Sequence, residues 1–376
     1  MAQFRQRLLS AAEAAAQLQV SRRWFYTLFS DYLRAVAGRR TQCWQPGRSG
    51  GNRRAAWPTG AAALVRKLLR ADPPASYSFA ASEVHRRYDH PLDRATVRRW
   101  AIRQRLEVAR RPPPRPGSPR RWQLQQIGAL WQYDASPHRW LPGDAGVCSL
   151  LELIDDCSRV LPGAQLYPRE TLLAHLEFLP AVFQEVGLPL CLYVDYHRFF
   201  FTHTPEALTQ LAAALKFYEV SLRYAPTPQA KGKIERAHQF WQKRLPSLLA
   251  AEEVHALARA NELLDQLRRH HNRHERHREL GMTPQAAWEA ARRAKRSALR
   301  APPRCPWWPY VWSLRTVVKV GSDGRISVGP QRVILRRPVG TRVVRCQHPN
   351  GDITVLAEPP AHGKRPEVLF HWPASP

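Results

Sequence analysis

A chain of 376 residues, 44% of them hydrophobic, has room for two to four domains with real cores. Its 58 Lys and Arg against 30 Asp and Glu give a formal charge of +28, spread over every segment rather than held in a tail. That excess suits a polyanionic partner; the bland alternative is a generic basic or ribosomal-type binder. No apolar run reaches the roughly 18–20 residues that span a bilayer, and the amino terminus lacks a signal-peptide core. The six cysteines, at 43, 148, 157, 191, 305 and 346, form no Cys-x-x-Cys pair and read as reduced, buried thiols. These features together point to a soluble cytoplasmic protein with no membrane partner.

Residues 9–34 read as two helices. Ser10 is a plausible N-cap for Ala11–Leu18, and Ser21 for Arg22–Leu33, which carries Arg22, Arg23, Trp24 and Tyr26 near its start. Helix, short turn, then a helix with a basic amino-terminal end is helix-turn-helix grammar, with an ordinary helical hairpin as the plain alternative. Residues 39–58 are rich in Gly and Arg and read as a basic linker. A second helical unit is expected over 59–108: Thr59 capping Gly60–Arg70, a short helix at Ser82–Tyr88, and Asp93 capping Arg94–Arg105. Arg94, Arg98 and Arg99 make that last helix the best recognition-helix candidate. Residues 109–126 hold a Pro/Arg spacer, the clearest boundary in the chain.

From residue 127 to about 300 strands and helices alternate. Strands are expected at Leu130–Ser136, Val147–Asp155, Arg159–Tyr167, Leu190–Asp195 and Ser221–Tyr224. Helices are expected at Thr171–Val186, Glu206–Tyr218, about Gly232–Leu248, and over most of 252–294. This order predicts an α/β mixed sheet with helices on both faces. His270 and His274 stand four apart, but a basic helix end explains them better than a metal site, because no Cys or carboxylate pair completes one. From 301 to 376 the pattern turns to strands at Arg315–Val320, Arg325–Val328, Gln331–Leu335, Arg342–Cys346 and Ile353–Leu356. The Asp323-Gly324 turn marks a hairpin, and a small β-barrel of about five strands fits.

Three carboxylates stand out. Asp134 lies in Trp-Gln-Tyr-Asp on the first core strand, and Asp195 ends the apolar run Leu-Cys-Leu-Tyr-Val-Asp. Glu235 heads a helix in Pro-Gln-Ala-Lys-Gly-Lys-Ile-Glu-Arg. Converging at strand ends, such acids repel unless a divalent cation neutralises them, and Mg²⁺ or Mn²⁺ prefers oxygen ligands of this kind. Two ions roughly 4 Å apart serve in-line displacement at phosphorus. Lys231, Lys233, Arg236 and Lys243 flank Glu235; they read equally as phosphate contacts or as a solvated helix face. Asp155 and Asp156 read as hairpin-turn residues rather than ligands. His238, one turn past Glu235, reads equally as a catalytic group and as a DNA-contacting or exposed one; for His197, close to Asp195, a direct role is the lesser reading. Trp131 and Tyr133 read as packing groups.

These stretches, with Leu-Ile-Asp-Asp-Cys-Ser-Arg159, resemble the DDE superfamily of transposases and retroviral-type integrases. The stretch around Glu235 is the most specific: it is similar to Pro-Gln-Ala-Lys-Gly-Arg-Val-Glu-Arg of bacterial insertion-sequence transposases. The 39 residues between Asp195 and Glu235 are similar to the long-spacing branch of that group. The resemblance covers most of the chain, most strongly 127–290. It implies a ribonuclease H-like core flanked by helix-turn-helix units and a small barrel. It implies Asp134, Asp195 and Glu235 as catalytic metal ligands, with two Mg²⁺ or Mn²⁺ ions. The partners it implies are double-stranded DNA, as element ends and target, and further copies of the chain in a synaptic homo-oligomer on the bacterial nucleoid. The activity it implies is nicking at element ends followed by strand transfer. Two other readings compete: a repressor of a related element that has lost catalysis, and a structure-specific nuclease.

Overall fold

The computed structural model describes residues 1–37, 56–106, 122–143, 146–196, 200, 209–226, 231–329 and 331–374. Most of the two expected linkers and His197 lie outside that set. The chain divides into two compact units, Met1–Trp57 and Pro58–Pro376.

The first unit holds α1 (Ala2–Arg5), α2 (Ala11–Gln17) and α3 (Arg22–Ala37). Ser10 and Glu13 cap α2 reciprocally, each side chain accepting from the other's backbone N–H, so both ends of the first turn are satisfied. Trp24 N donates to Ser21 Oγ at 3.2 Å and starts α3 as expected. Phe25 is fully buried between Ala14, Ala15 and the unanticipated α1, whose Phe4 meets it edge-on at 4.9 Å. Arg22, Arg23 and Trp24 are exposed.

The second unit opens with α4 (Ala61–Arg70), α5 (Tyr77–Tyr88) and α6 (Arg94–Arg103). Thr59 does not cap α4: Gly60 is the N-cap residue, at φ +87°, and no side chain caps the helix. The φ of +87° favours glycine there, and a Cβ on Gly60 would also lie 2.8 Å from the Tyr88 hydroxyl, which would have to shift. Ser76 caps α5, which therefore begins well before the expected Ser82. Val97 and Ala101 seat α6, and Arg94, Arg98 and Arg99 remain exposed on its outer side.

The core is a five-stranded mixed sheet in the order β3-β2-β1-β4-β5. Its strands are β1 (Trp131–His138), β2 (Cys148–Asp155), β3 (Ala164–Tyr167), β4 (Cys191–Val194) and β5 (Ser221–Tyr224). β1, β2 and β3 run as antiparallel neighbours, and β4 and β5 run parallel to β1. The helices are α7 (Leu172–Val186), α8 (Gln210–Phe217), α9 (Gly232–Gln242), α10 (Leu245–Ala251), α11 (Leu257–His274) and α12 (Pro284–Arg293). Alternation along β1 divides the two faces. Trp131 and Tyr133 pack on Phe183 and Phe178 of α7, with ring centroids 6.2 and 5.9 Å apart. Gln132, Asp134 and Ser136 face α9 instead. A mixed sheet covered on both faces fits a ribonuclease H-like core. Arg87 pairs with Glu252 at 2.8 Å and ties α5 to the residue that ends α10.

Beyond α13 (Trp308–Val311), the carboxy-terminal part carries six strands in two sheets rather than about five in one. They are β6 (Leu314–Lys319), β7 (Arg325–Val328), β8 (Gln331–Ile334), β9 (Arg342–Gln347), β10 (Ile353–Leu356) and β11 (Val368–Trp372). One sheet runs β11-β10-β9-β6, and β7 pairs with β8 as a separate hairpin. On β9, Val344 and Cys346 join the main core while Val343 packs with Ile326 and Val328 of the hairpin, so the sheet is buried on both sides. Among the described residues no helix is long and apolar enough to cross a membrane.

Candidate active site

The site forms where β1, the end of β4 and the start of α9 meet. Asp134 is on β1, opposite Glu152 of β2. Gln132 pairs with Tyr193 across the parallel β1–β4 ladder, and carrying that register two residues on sets Asp195 beside Asp134. Lys231, the N-cap of α9, and residues 235, 238 and 242 on the helix follow the three- and four-residue spacing of one stripe. Three of them touch the β1 face. Lys231 Nζ donates to Asp134 Oδ1 at 2.7 Å, His238 Nδ1 stands 3.9 Å from Asp134 Oδ2, and Gln242 Nε2 donates to Ser136 Oγ at 3.1 Å. Glu235 is the fourth member of the stripe and is half-buried. Ile234 is fully buried, and its N–H donates to Gln132 Oε1 at 3.2 Å, pinning the first turn of α9 to the strand.

Lys231 also lies 3.7 Å from Asp195 Oδ2, so one ammonium bridges both aspartates. Burial raises the pKa of Asp134 above the usual carboxylate value, and the charge of Asp195 adds to that; Lys231 works in the opposite direction. A cavity of about 50 Å³ opens beside the two aspartates, walled by Tyr133, Glu170, His175 and Phe200. In that wall Tyr133 Oη lies 2.6 Å from His175 Nδ1, and His175 Nε2 lies 3.2 Å from Glu170 Oε1.

A fourth carboxylate, Glu152, completes the buried polar layer and was not anticipated. It is wholly buried; one oxygen accepts from Trp241 Nε1 of α9, and the other lies 3.6 Å from His238 Nε2, with neither Glu152 Oε2 nor His238 Nε2 making a hydrogen bond. Burial pushes the Glu152 carboxyl up to about 8. Burial, with the nearby Lys231 charge, pushes His238 down to about 3, so the imidazole is neutral. The signal for Glu152 was available: a single charge inside the apolar run Cys-Ser-Leu-Leu-Glu-Leu-Ile is out of place unless it is paired.

Asp155 and Asp156 are fully buried and engaged in holding the fold. Asp155 accepts from Gly128 N, Trp131 Nε1, Ser158 N and Ser158 Oγ. Asp156 accepts from Leu124 N at 2.8 Å and from the Lys233 ammonium. Lys233 is further fixed by the Trp122 carbonyl and sits 4.4 Å over the Trp122 ring.

The four cations flanking Glu235 therefore differ. Lys231 is buried and Lys233 half-buried, each against a carboxylate rather than on a solvated helix face. Arg236 is exposed and pairs with Glu279 at 2.9 Å, and Lys243 is exposed at the carboxyl end of α9. His270 and His274 stack with ring centroids 4.8 Å apart.

Among the described residues no three His, Cys, Asp or Glu side chains converge closely enough to hold a metal ion as they stand. The donor set nevertheless fits a hard divalent cation: two carboxylates already share one positive charge, and Glu235 lies on the stripe between the two α9 residues that reach Asp134.

No family model matches the chain. It is similar to insertion-sequence transposases. It is 29% identical over 187 residues to a Sinorhizobium fredii protein named as a transposase, across 48% of this chain and 41% of that one. It is 33% identical over 159 residues to the transposase for insertion sequence IS1202 of Streptococcus pneumoniae, across 40% of this chain and 34% of that one. The matches thus span about two fifths or less of the length of these relatives. Among solved structures, a chain of the simian T-cell lymphotropic virus intasome in complex with the PP2A regulatory subunit B56 gamma is similar at TM-score 0.40 and 14% identity. That match covers 77% of this chain and 91% of that one. The HTLV-2 integrase catalytic core domain in complex with magnesium is similar at TM-score 0.33 and 16% identity, over 43% of this chain and 95% of that one.

Proposed function

We propose that this chain is a DDE-type DNA transposase, a polynucleotidyl transferase that nicks the ends of a mobile element and joins them to target DNA. The observation that carries the reading is the meeting of Asp134 and Asp195 on one charge, with Glu235 on the same helical stripe as the lysine that supplies it. The similarity to insertion-sequence transposases supports it independently.

In this reading Asp134, Asp195 and Glu235 hold Mg²⁺ or Mn²⁺, two ions in all. When bound, the metal activates the attacking oxygen and neutralises charge at the phosphodiester. The rest of the chemistry is positioning by the chain itself. Ile234 and Gln132 fix the start of α9 against β1, which sets the distance between Glu235 and the aspartates. Trp241 and Glu152 anchor the far end of that helix in the core. The helical units act as helix-turn-helix readers of element ends, with Arg22 and Arg23 on α3 and Arg94, Arg98 and Arg99 on α6 as contacts, all of them exposed. Arg236 and Lys243 are the cations near Glu235 that lie open to DNA. The carboxy-terminal strands act as a small-barrel module, and two ends are brought together by more than one copy of the chain.

The test uses the purified chain and a duplex carrying the sequence that flanks its coding region. Nicking at the element boundary is expected with Mg²⁺ and absent with EDTA. Asp195→Asn is expected to lose nicking by at least about a hundredfold while duplex binding stays within about threefold. Nicking that survives in Asp195→Asn removes that residue from the site.

A further inference from the structure

Lys231 and Lys233 are neighbours in one motif, yet they are held in opposite ways. Lys233 is built into the fold by Asp156, the Trp122 carbonyl and the Trp122 ring. Lys231 has only Asp134 and Asp195 as partners among the described residues. Its side chain makes no capping bond, although its backbone is the N-cap of α9. The stem is buried, with 5% of the side chain exposed, and the ammonium is delivered to the gap between two carboxylates. One ammonium thus stands against both carboxylates.

We infer that Lys231 is an internal counter-ion that occupies the position of a divalent metal, and that it must leave before metal binds. This rests on the reading of Asp134 and Asp195 as metal ligands. An ion held by both carboxylates lies where the ammonium now lies, and a divalent cation and an ammonium on the same oxygens repel. Four methylenes let the ammonium swing out without disturbing α9, because no backbone bond depends on it. On the proposed reading, the group that compensates it outside is a phosphate of the DNA backbone. Lys231 thereby couples the two ligands: divalent metal binds weakly to the DNA-free protein, and DNA strengthens metal binding by taking over the lysine. A site so arranged does not assemble its hydrolytic metal centre until substrate is present.

The measurement is Mn²⁺ binding to the full-length chain without DNA, followed by the electron paramagnetic resonance signal of free Mn²⁺. Lys231→Gln is expected to bind about tenfold tighter than the parent, and Lys231→Arg, which keeps the charge, to stay near the parent. Adding duplex, corrected for Mn²⁺ held by DNA alone, is expected to tighten the parent towards Lys231→Gln and to change Lys231→Gln little. A second arm needs no variant: acetylation of Lys231, read by mass spectrometry, is expected to be slow in the parent alone and to rise when saturating Mn²⁺ is added. Equal affinities for parent and Lys231→Gln, or acetylation indifferent to Mn²⁺, overturns the counter-ion inference and leaves the metal site standing. Mn²⁺ binding that is absent throughout, or unaffected by Asp195→Asn, overturns the metal reading itself.

Discussion

Glu152 lies in the middle of an apolar strand, and its burial sets its chemistry. Its folded-state value of about 8 lies above the ordinary 4.5, so the folded protein keeps a proton that the unfolded chain releases across that window. Stability therefore falls as pH rises from about 4.5 to about 8. His238 acts the other way and lower down: its value of about 3 against 6.5 makes the folded protein gain stability as pH rises through that range. Glu152→Gln keeps the acceptor for Trp241 and removes the titration. Denaturant melts of parent and variant at pH 5 and pH 8 are expected to diverge by about 3–5 kcal/mol in the variant's favour at the higher pH. Parallel stability profiles rule the account of Glu152 out. At this scale the sequence disclosed the acids but not their company. Asp134, Asp195 and Glu235 stood out in short motifs. That Lys231 would turn inward to two of them, while Arg236 faces solvent, depends on how α9 lies across β1, a tertiary fact with no local signature.

At the scale of elements, α9 is the piece that makes the site. It docks through Ile234, His238 and Trp241, which are buried at helical spacing against β1 and β2. Ile234→Ala removes a fully buried side chain next to the Gln132 anchor; it is expected to cost about 2–4 kcal/mol in chemical denaturation and to lower the nicking rate as well. A loss below about 1 kcal/mol means α9 is not held by that contact. Strand β5 and hairpin strand β7 were legible to the residue, β7 because Ile326 and Val328 alternate after the Asp323-Gly324 turn. The long helix expected over 232–248 breaks instead at Lys243 and Arg244. Pro246 lacks the N–H that a continuous helix needs, and it sits in the first turn of α10. Strand β3 starts at Ala164 rather than Arg159, since Arg159 takes φ +65° and Pro162 follows. Strand β11 went unread because it is short and far from the strand it joins, with Pro359, Pro360 and Gly363 between.

At the scale of the molecule, the chain carries a formal charge of +28, and the arginines named above on α3 and on α6 are exposed. On the proposed reading, binding and chemistry are separable: the first is long-range and salt-dependent, the second confined to three carboxylates. The alternation of strands and helices after residue 127 made the mixed sheet legible, and the Pro/Arg-rich stretch before it marked where reading conditions change. What the linear order did not disclose is that α4, α5 and α6 fold into one compact unit with the core, because the contacts that do this, such as Arg87 with Glu252, join residues far apart in sequence. The central claim is that Asp134, Asp195 and Glu235 together perform strand joining. Its most direct test supplies a pre-nicked end duplex, a supercoiled target plasmid and Mg²⁺ to the parent and to Asp134→Asn, Asp195→Asn and Glu235→Gln, and counts joined products. The expected result is joining by the parent, with each variant down by at least about a hundredfold while still binding the end. Joining by any one of the three at the parent's rate contradicts the account.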